Sequence, residues 1–424
     1  MTCFLHEKAC KGTAKKSNIQ IFGQKSATFL LFSFIFRNFA PTFNKNVCMP
    51  TKERNRSIDI LRAIAIILVV IGHMYPVPGC EWLQENFRAG SYRLAIFLFI
   101  SGYLFRDMEW KDYGSFTLRK TRSLVLPLIG WNIVYAGIVS LINLRHPANY
   151  LPPTAQMWTL HELLIEPFVV GHQCLLNLAT WFVGLLFLTL LIFGIAHLIC
   201  KKLPEWAMLL LYTGIAFLSL CCARFLPHSG IYLVLMRIGL ALFFVQLGRC
   251  FRIYIEPLIR TRKLWWIIIL LGLAWCISVY GKENSYIWLF FNFSGNVLRP
   301  LLAGTFGCLF WMIASMQIAK WLPQNKVERA ISNGTWSIMT NHLLVRFMCC
   351  WAFVHFFPEY GMRDAFSNDF WFFPRSANFV SWFTVLYFAV LSLEIVLPVL
   401  WQLGFDRFKE RTLTIFRTLT NRTK

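Results

Sequence analysis

Ten stretches of this chain are apolar for long enough, or nearly so, to cross a lipid bilayer, and this limits the fold before any motif is read. A spanning helix needs about 20 apolar residues to cross roughly 30 Å of hydrocarbon. The stretches are Ile58–Pro76, Leu94–Phe105, Leu124–Leu144, Thr180–Ile199, Pro204–Ala223, Ile231–Phe251, Leu264–Gly281, Val297–Ala319, Ile331–Phe357 and Phe379–Leu403. The second is short unless it begins near Phe87, and polar residues interrupt the eighth and ninth. Inside lipid, backbone N–H and C=O groups must be satisfied within the segment, so each stretch is expected to be helical. The expected fold is all-α, a polytopic membrane bundle of about ten transmembrane helices.

Charge placement supports that count. The net charge is +22. On a soluble chain this would point to nucleic acid, but 57% of the residues are hydrophobic and only 15% charged, against about 45–50% and about 25% in a soluble domain. The surplus instead reads as topology, because cytoplasmic loops collect Lys and Arg. With the N-terminus inside and the spans alternating, the inside segments hold 31 Lys and Arg and the outside loops 7. Both termini are therefore expected in the cytoplasm. Membrane lipid is an expected partner and nucleic acid is not. The thirteen cysteines show neither CxxC pairs nor Cys/His ligand spacing. Many lie in apolar runs, where a thiol acts as a small hydrophobe. Neither a disulfide framework nor a metal site is expected.

Three regions follow. Residues 1–48 are a basic extension whose one apolar run, Ala27–Phe36, is too short to span, and no small-residue cleavage site follows it. Met49 opens a compact basic lead into the first span, so 1–48 is expected to be dispensable or a mis-assigned start. Residues 49–403 form the membrane domain, and 404–424 a basic cytoplasmic tail.

Ionisable residues inside spans cost about 2.5–3.5 kcal/mol each on insertion scales, which makes each one a candidate. Arg62 and His73 in the first span are eleven residues apart. That is within about 20° of whole turns, so they share a helix face, about 16 Å apart along the axis. Asp59 lies one turn before Arg62 on the same side. Two readings stand: an interfacial Asp59–Arg62 ion pair with a satisfied buried imidazole, or a working histidine and arginine. Arg119 and Arg122, at i and i+3 before the third span, fit a positive-inside anchor; they also fit a phosphate site, because guanidinium binds phosphate bidentately. His342 and Arg346, at i and i+4, lie in a polar stretch with Ser337, Thr340 and Asn341. That stretch either lines a cavity or joins helices by hydrogen bonds. Arg237, Arg299 and Glu394 are further ionisable residues within spans.

These residues resemble the integral-membrane acyltransferase-3 family, whose members O-acylate sugars. The likeness rests on Arg62-x10-His73, the R-x-x-D of Arg56 and Asp59, the Arg-x-x-Arg of Arg119 and Arg122, and Ser101-Gly102-Tyr103 at the end of the second span. Gly334, Ser337 and His342 match a late G-x-x-S-x-x-x-x-H, and the segment from Thr180 to Phe187 is similar to that of the fucose 4-O-acetylase-like branch. The likeness covers roughly residues 55–403. One departure is that no acid follows Trp181 where better-known members carry two.

The resemblance implies a multi-pass protein of the cell membrane, of bacterial inner-membrane type. It would move an acetyl group from cytoplasmic acetyl-CoA, as co-substrate, to a hydroxyl of a surface or lipid-linked glycan. His73 would be the base. Arg62 would bind a phosphate or steady developing negative charge, and Arg119 and Arg122 would hold the nucleotide phosphates. His342, Asn341 and Asp59 are weaker candidates for a substrate cavity. The alternative is a non-catalytic exporter or flippase partner on the same scaffold. An ion-coupled transporter would show acids deep in several spans, and here only Glu394 qualifies.

Overall fold

The computed structural model describes residues 55–74, 90–145, 159–169, 175–260, 265–279, 291, 297–356 and 380–422. All lie in the unit Asn46–Lys424. The expected 1–48 extension falls outside the described residues.

Among the described residues the chain is helical, and a helix overlaps each of the ten expected apolar stretches, while fewer of them are of spanning length. The main helices are α1 (Arg56–Gly72), α2 (Gly90–Tyr103), α3 (Trp110–Lys120), α4 (Leu126–Arg145), α5 (Trp181–Ile199), α6 (Glu205–Cys222), α7 (Gly230–Cys250), α8 (Trp265–Val279), α9 (Leu298–Trp321), α10 (Lys326–Asn333), α11 (Thr335–Phe356) and α12 (Val380–Arg422). No strand occurs among the described residues. Among the described residues six segments are both long and apolar enough to cross a membrane: 110–142, 176–199, 205–222, 230–259, 298–321 and 385–408. α1, α2 and α8 are shorter, at 17, 14 and 15 residues. α11 has 22 residues but carries the polar stretch.

α7 is the hub. It is buried almost throughout, from Leu233 to Cys250, as expected of a helix that is apolar all round. α2 crosses it so closely that a Cβ on Gly102 would strike the carbonyl of Val245, and one on Gly248 would strike that of Phe99. Small residues in membrane helices serve this close approach. The lipid-facing side is the inverse of a soluble surface: Leu141, Leu210 and Ile277 are 65%, 65% and 72% exposed.

One end of the bundle is locked by polar joints. Asn55 caps α1 by accepting from the Ser57 amide at 3.1 Å. Its amide nitrogen donates to Tyr103 Oη, which donates to Glu256, both at 2.7 Å. Arg56 reaches the open carbonyls in and just past the C-terminal turn of α9, at Ala319, Leu322 and Pro323, and pairs with Glu328 of α10 at 3.0 Å. Orphan carbonyls at a helix end need such donors. At the same end Arg249, only 3% exposed, pairs with Asp107 at 2.5 Å and Glu205 at 2.7 Å. α3 enters α4 through a π-turn, Thr121–Val125, a local widening often found at functional positions.

Candidate active site

α1 ends at Gly72, and His73 is its C-cap. The last carbonyls of a helix have no intrahelical partner and carry the negative end of its dipole. Here side chains meet that need. His73 Nδ1 bonds the Val69 carbonyl at 2.8 Å, and Arg346 of α11 donates to the carbonyl of His73 itself. A carbonyl only accepts, so Nδ1 donates in this bond and Nε2 is the nitrogen left for proton exchange.

His342, inside α11, turns its ring back onto its own helix in the same way. Its Nδ1 bonds the carbonyls of Ile338 at 2.9 Å and Met339 at 3.1 Å. The two imidazole rings adjoin, with centroids 5.2 Å apart. His342 is fully buried, and its Nε2 has no hydrogen-bond partner among the described residues. The site thus holds two adjoining imidazoles, each tied through Nδ1 to its own helix and each leaving Nε2 as the ring nitrogen not used in that bond.

Arg346 is held from behind. Its Nε and Nη2 donate to the two carboxylate oxygens of Glu394 on α12, at 2.6 and 2.7 Å. Both side chains are shut off from solvent, at 1% and 0% exposure. Pro398, one turn beyond Glu394, lacks the amide that would bond the Glu394 carbonyl. Its own carbonyl accepts from Ser337 Oγ at 2.7 Å. Ile66, Val69, Val70, Ile338 and Val399 pack α1, α11 and α12 together beneath the two histidines.

The other candidates are distributed. Arg62 is partly exposed, 4.0 Å from Asp59, and lies about 16 Å from His73 along the helix. Asp59 is buried and accepts from Ser332 Oγ of α10 at 3.2 Å. Asn341 accepts from Tyr135 Oη and donates to the Ser337 carbonyl, both at 2.9 Å, and so joins α4 to α11. Arg119 and Arg122 are exposed at the α3–α4 junction, Arg119 contacting Ser115 Oγ at 3.2 Å. The structure therefore brings His73 and His342 together. It leaves Arg62, Arg119 and Arg122 apart from them.

Two features escape sequence reasoning. Arg346 and Glu394 both stand out as ionisable residues inside spans, but nothing in a 48-residue separation pairs them. Arg93 falls in a loop by hydropathy, yet lies in the first turn of α2 with its guanidinium against Gly72. A glycine immediately before His73, unneeded for any turn, is the one signal that points to it. Among the described residues no group of three His, Cys, Asp or Glu could hold a metal.

A family model described as an acyltransferase domain, that of the acyltransferase-3 family, matches residues 55–397. The match takes in Asp59, Arg62, His73, Arg93, Arg119, Arg122, Asn341, His342, Arg346 and Glu394. No curated protein and no solved structure gives a match.

Proposed function

The chain belongs to the acyltransferase-3 family, and on that premise we propose that this membrane acyltransferase is an O-acetyltransferase, moving acetyl from cytoplasmic acetyl-CoA to a hydroxyl of a surface or lipid-linked glycan. The observation that carries the reading is His73. Its Nδ1 is committed to the Val69 carbonyl, which fixes Nε2 as the basic atom at the end of α1. A sugar hydroxyl is a poor nucleophile at neutral pH, and a positioned imidazole is the side chain most often used to take its proton.

In the proposed reaction His73 Nε2 takes the hydroxyl proton as the hydroxyl oxygen attacks the thioester carbonyl carbon. The tetrahedral intermediate collapses with breakage of the C–S bond. The CoA thiolate leaves and takes the proton back from the imidazolium. Arg346, held by Glu394, fixes the His73 backbone and is a positioning residue. The exposed guanidinium groups of Arg119 and Arg122 bind nucleotide phosphates, and Arg62 meets a phosphate nearer the bundle. The ~16 Å from Arg62 to His73 suits an extended pantetheine arm. The bundle end that carries Arg56 and Arg249 faces the cytoplasm, and His73 sits toward the opposite face.

The test has two arms. Purified protein in lipid nanodiscs is given labelled acetyl-CoA with crude lipid-linked glycan, and surface glycans from cells with and without the gene are weighed by mass spectrometry. Label transfer and a gene-dependent gain of about 42 Da per site (one acetyl replacing one hydrogen) support the reading. An exporter partner would leave acetyl-CoA intact and change the amount of surface glycan without changing its mass.

A further inference from the structure

Arg93 sits where α1 has made room for it. A Cβ on Gly72 would fall inside the Arg93 guanidinium, meeting Nη1, Cζ and Nη2. Nη1 also reaches the Leu68 carbonyl, one turn back on α1, at 3.4 Å. The placement is set by the register of α2. Its neighbour Tyr92 is fully buried, edge-on to Trp275 of α8 with centroids 5.0 Å apart, and packs against Gly307 of α9. With Tyr92 pinned on that side, the next residue projects about 100° further round the helix, toward α1. The guanidinium therefore lies beside the last turn of α1, next to His73, and its Nε is closed off from solvent.

Acyl transfer at His73 creates negative charge on the thioester carbonyl oxygen, and a preorganised donor aimed at that oxygen is commonly the largest single contribution to catalysis. Three arginines compete for the role. Arg346 is already committed, with Nε and Nη2 on Glu394 and Nη1 on the His73 carbonyl. Arg62 is about 16 Å away along α1. Among the described residues, Arg93 is the arginine that combines a position beside His73 with a seat built for its guanidinium.

We propose that Arg93 is a catalytic residue, the oxyanion partner of the acyl-transfer step, and that Gly72 is glycine in order to seat it. The assignment rests on the acyltransferase reading above. As the hydroxyl oxygen bonds to the thioester carbon, the carbonyl π pair moves onto oxygen and an Arg93 N–H donates to it. When the carbonyl re-forms, the C–S bond breaks and the thiolate leaves with the proton held on His73.

The test is steady-state kinetics on Arg93→Gln, Arg93→Lys, Gly72→Ala and the Gly72→Ala/Arg93→Gln pair in nanodiscs, with rates per mole of protein that melts as wild type. Arg93→Gln is expected to lower kcat by about 10²–10³-fold with little change in KM for acetyl-CoA. Arg93→Lys, which keeps the charge and loses the planar fork, should recover part of that loss. Gly72→Ala should reproduce most of it by displacing the guanidinium, yet add nothing in the Arg93→Gln background. Wild-type kcat in Arg93→Gln, a loss confined to KM, no better rate in Arg93→Lys than in Arg93→Gln, or additive effects of the two positions would overturn the assignment. If the wild type itself transfers no acetyl group, the acyltransferase reading falls; if it does and Arg93→Gln matches it, only the role of Arg93 falls.

Discussion

Glu394→Gln removes one charge of the Arg346–Glu394 pair and leaves a guanidinium without its counter-ion, at 1% exposure, in the interior of a membrane bundle. Breaking a buried ion pair by deleting one partner costs about 3–5 kcal/mol, because the remaining charge stays desolvated. For a chain of this size that is a fall in melting temperature of about 3–6 °C, the shift per kcal/mol shrinking as length grows. Replacing both partners with apolar residues behaves differently. Arg346→Met with Glu394→Leu removes both desolvation penalties and should return stability to wild type or above. It does not return the donor to the His73 carbonyl, so activity should stay low. The assay is tryptophan-fluorescence melting in nanodiscs, run beside labelled acetyl transfer. A single variant as stable as wild type, or a double variant that regains activity along with stability, would refute the reasoning.

Other predictions follow from the same structure. Arg119→Ala with Arg122→Ala should raise KM for acetyl-CoA by tenfold or more, since two charge-assisted contacts are worth about 1.5–3 kcal/mol each; an unchanged KM with reduced expression would make the pair a topology anchor. Gly248→Ala should destabilise by about 1–3 kcal/mol, or more, because its methyl meets the Phe99 carbonyl rather than a yielding side chain; melting reads this directly. Partial burial pushes the Asp107 carboxyl up, but the Arg249 guanidinium bonded to it holds it below the usual carboxylate range. A depressed folded-state value stabilises at neutral pH and is lost as pH falls through it, below about 4. Asp107→Asn should therefore melt below wild type at pH 7, with the gap closing under acid; a constant gap would contradict this.

The helices were legible because lipid forces the backbone to satisfy itself, so runs such as Thr180–Ile199 and Pro204–Ala223 announce α5 and α6 by composition alone. The shared face of Arg62 and His73 was legible for the same reason, as periodicity. What periodicity does not give is partners. R-x-x-D reads as a motif, but only the fold shows Arg56 closing the end of α9 and Asp59 receiving Ser332. Ser101-Gly102-Tyr103 is likewise a set of joints: Ser101 bonds back to Phe97, Gly102 admits α7, and Tyr103 links Asn55 to Glu256. Arg93 was hidden by its own charge, which lowers the hydropathy of the turn it occupies and moves the apparent start of the helix past it.

The most direct measurement of the central claim is acetyl transfer by His73→Ala. Purified in nanodiscs at wild-type abundance and melting temperature, the variant should release no CoA thiol above background and transfer no label to the glycan acceptor, while wild type does both. Transfer at the wild-type rate by a normally folded His73→Ala protein would mean that the imidazole at the end of α1 only caps its helix, and that the base lies elsewhere.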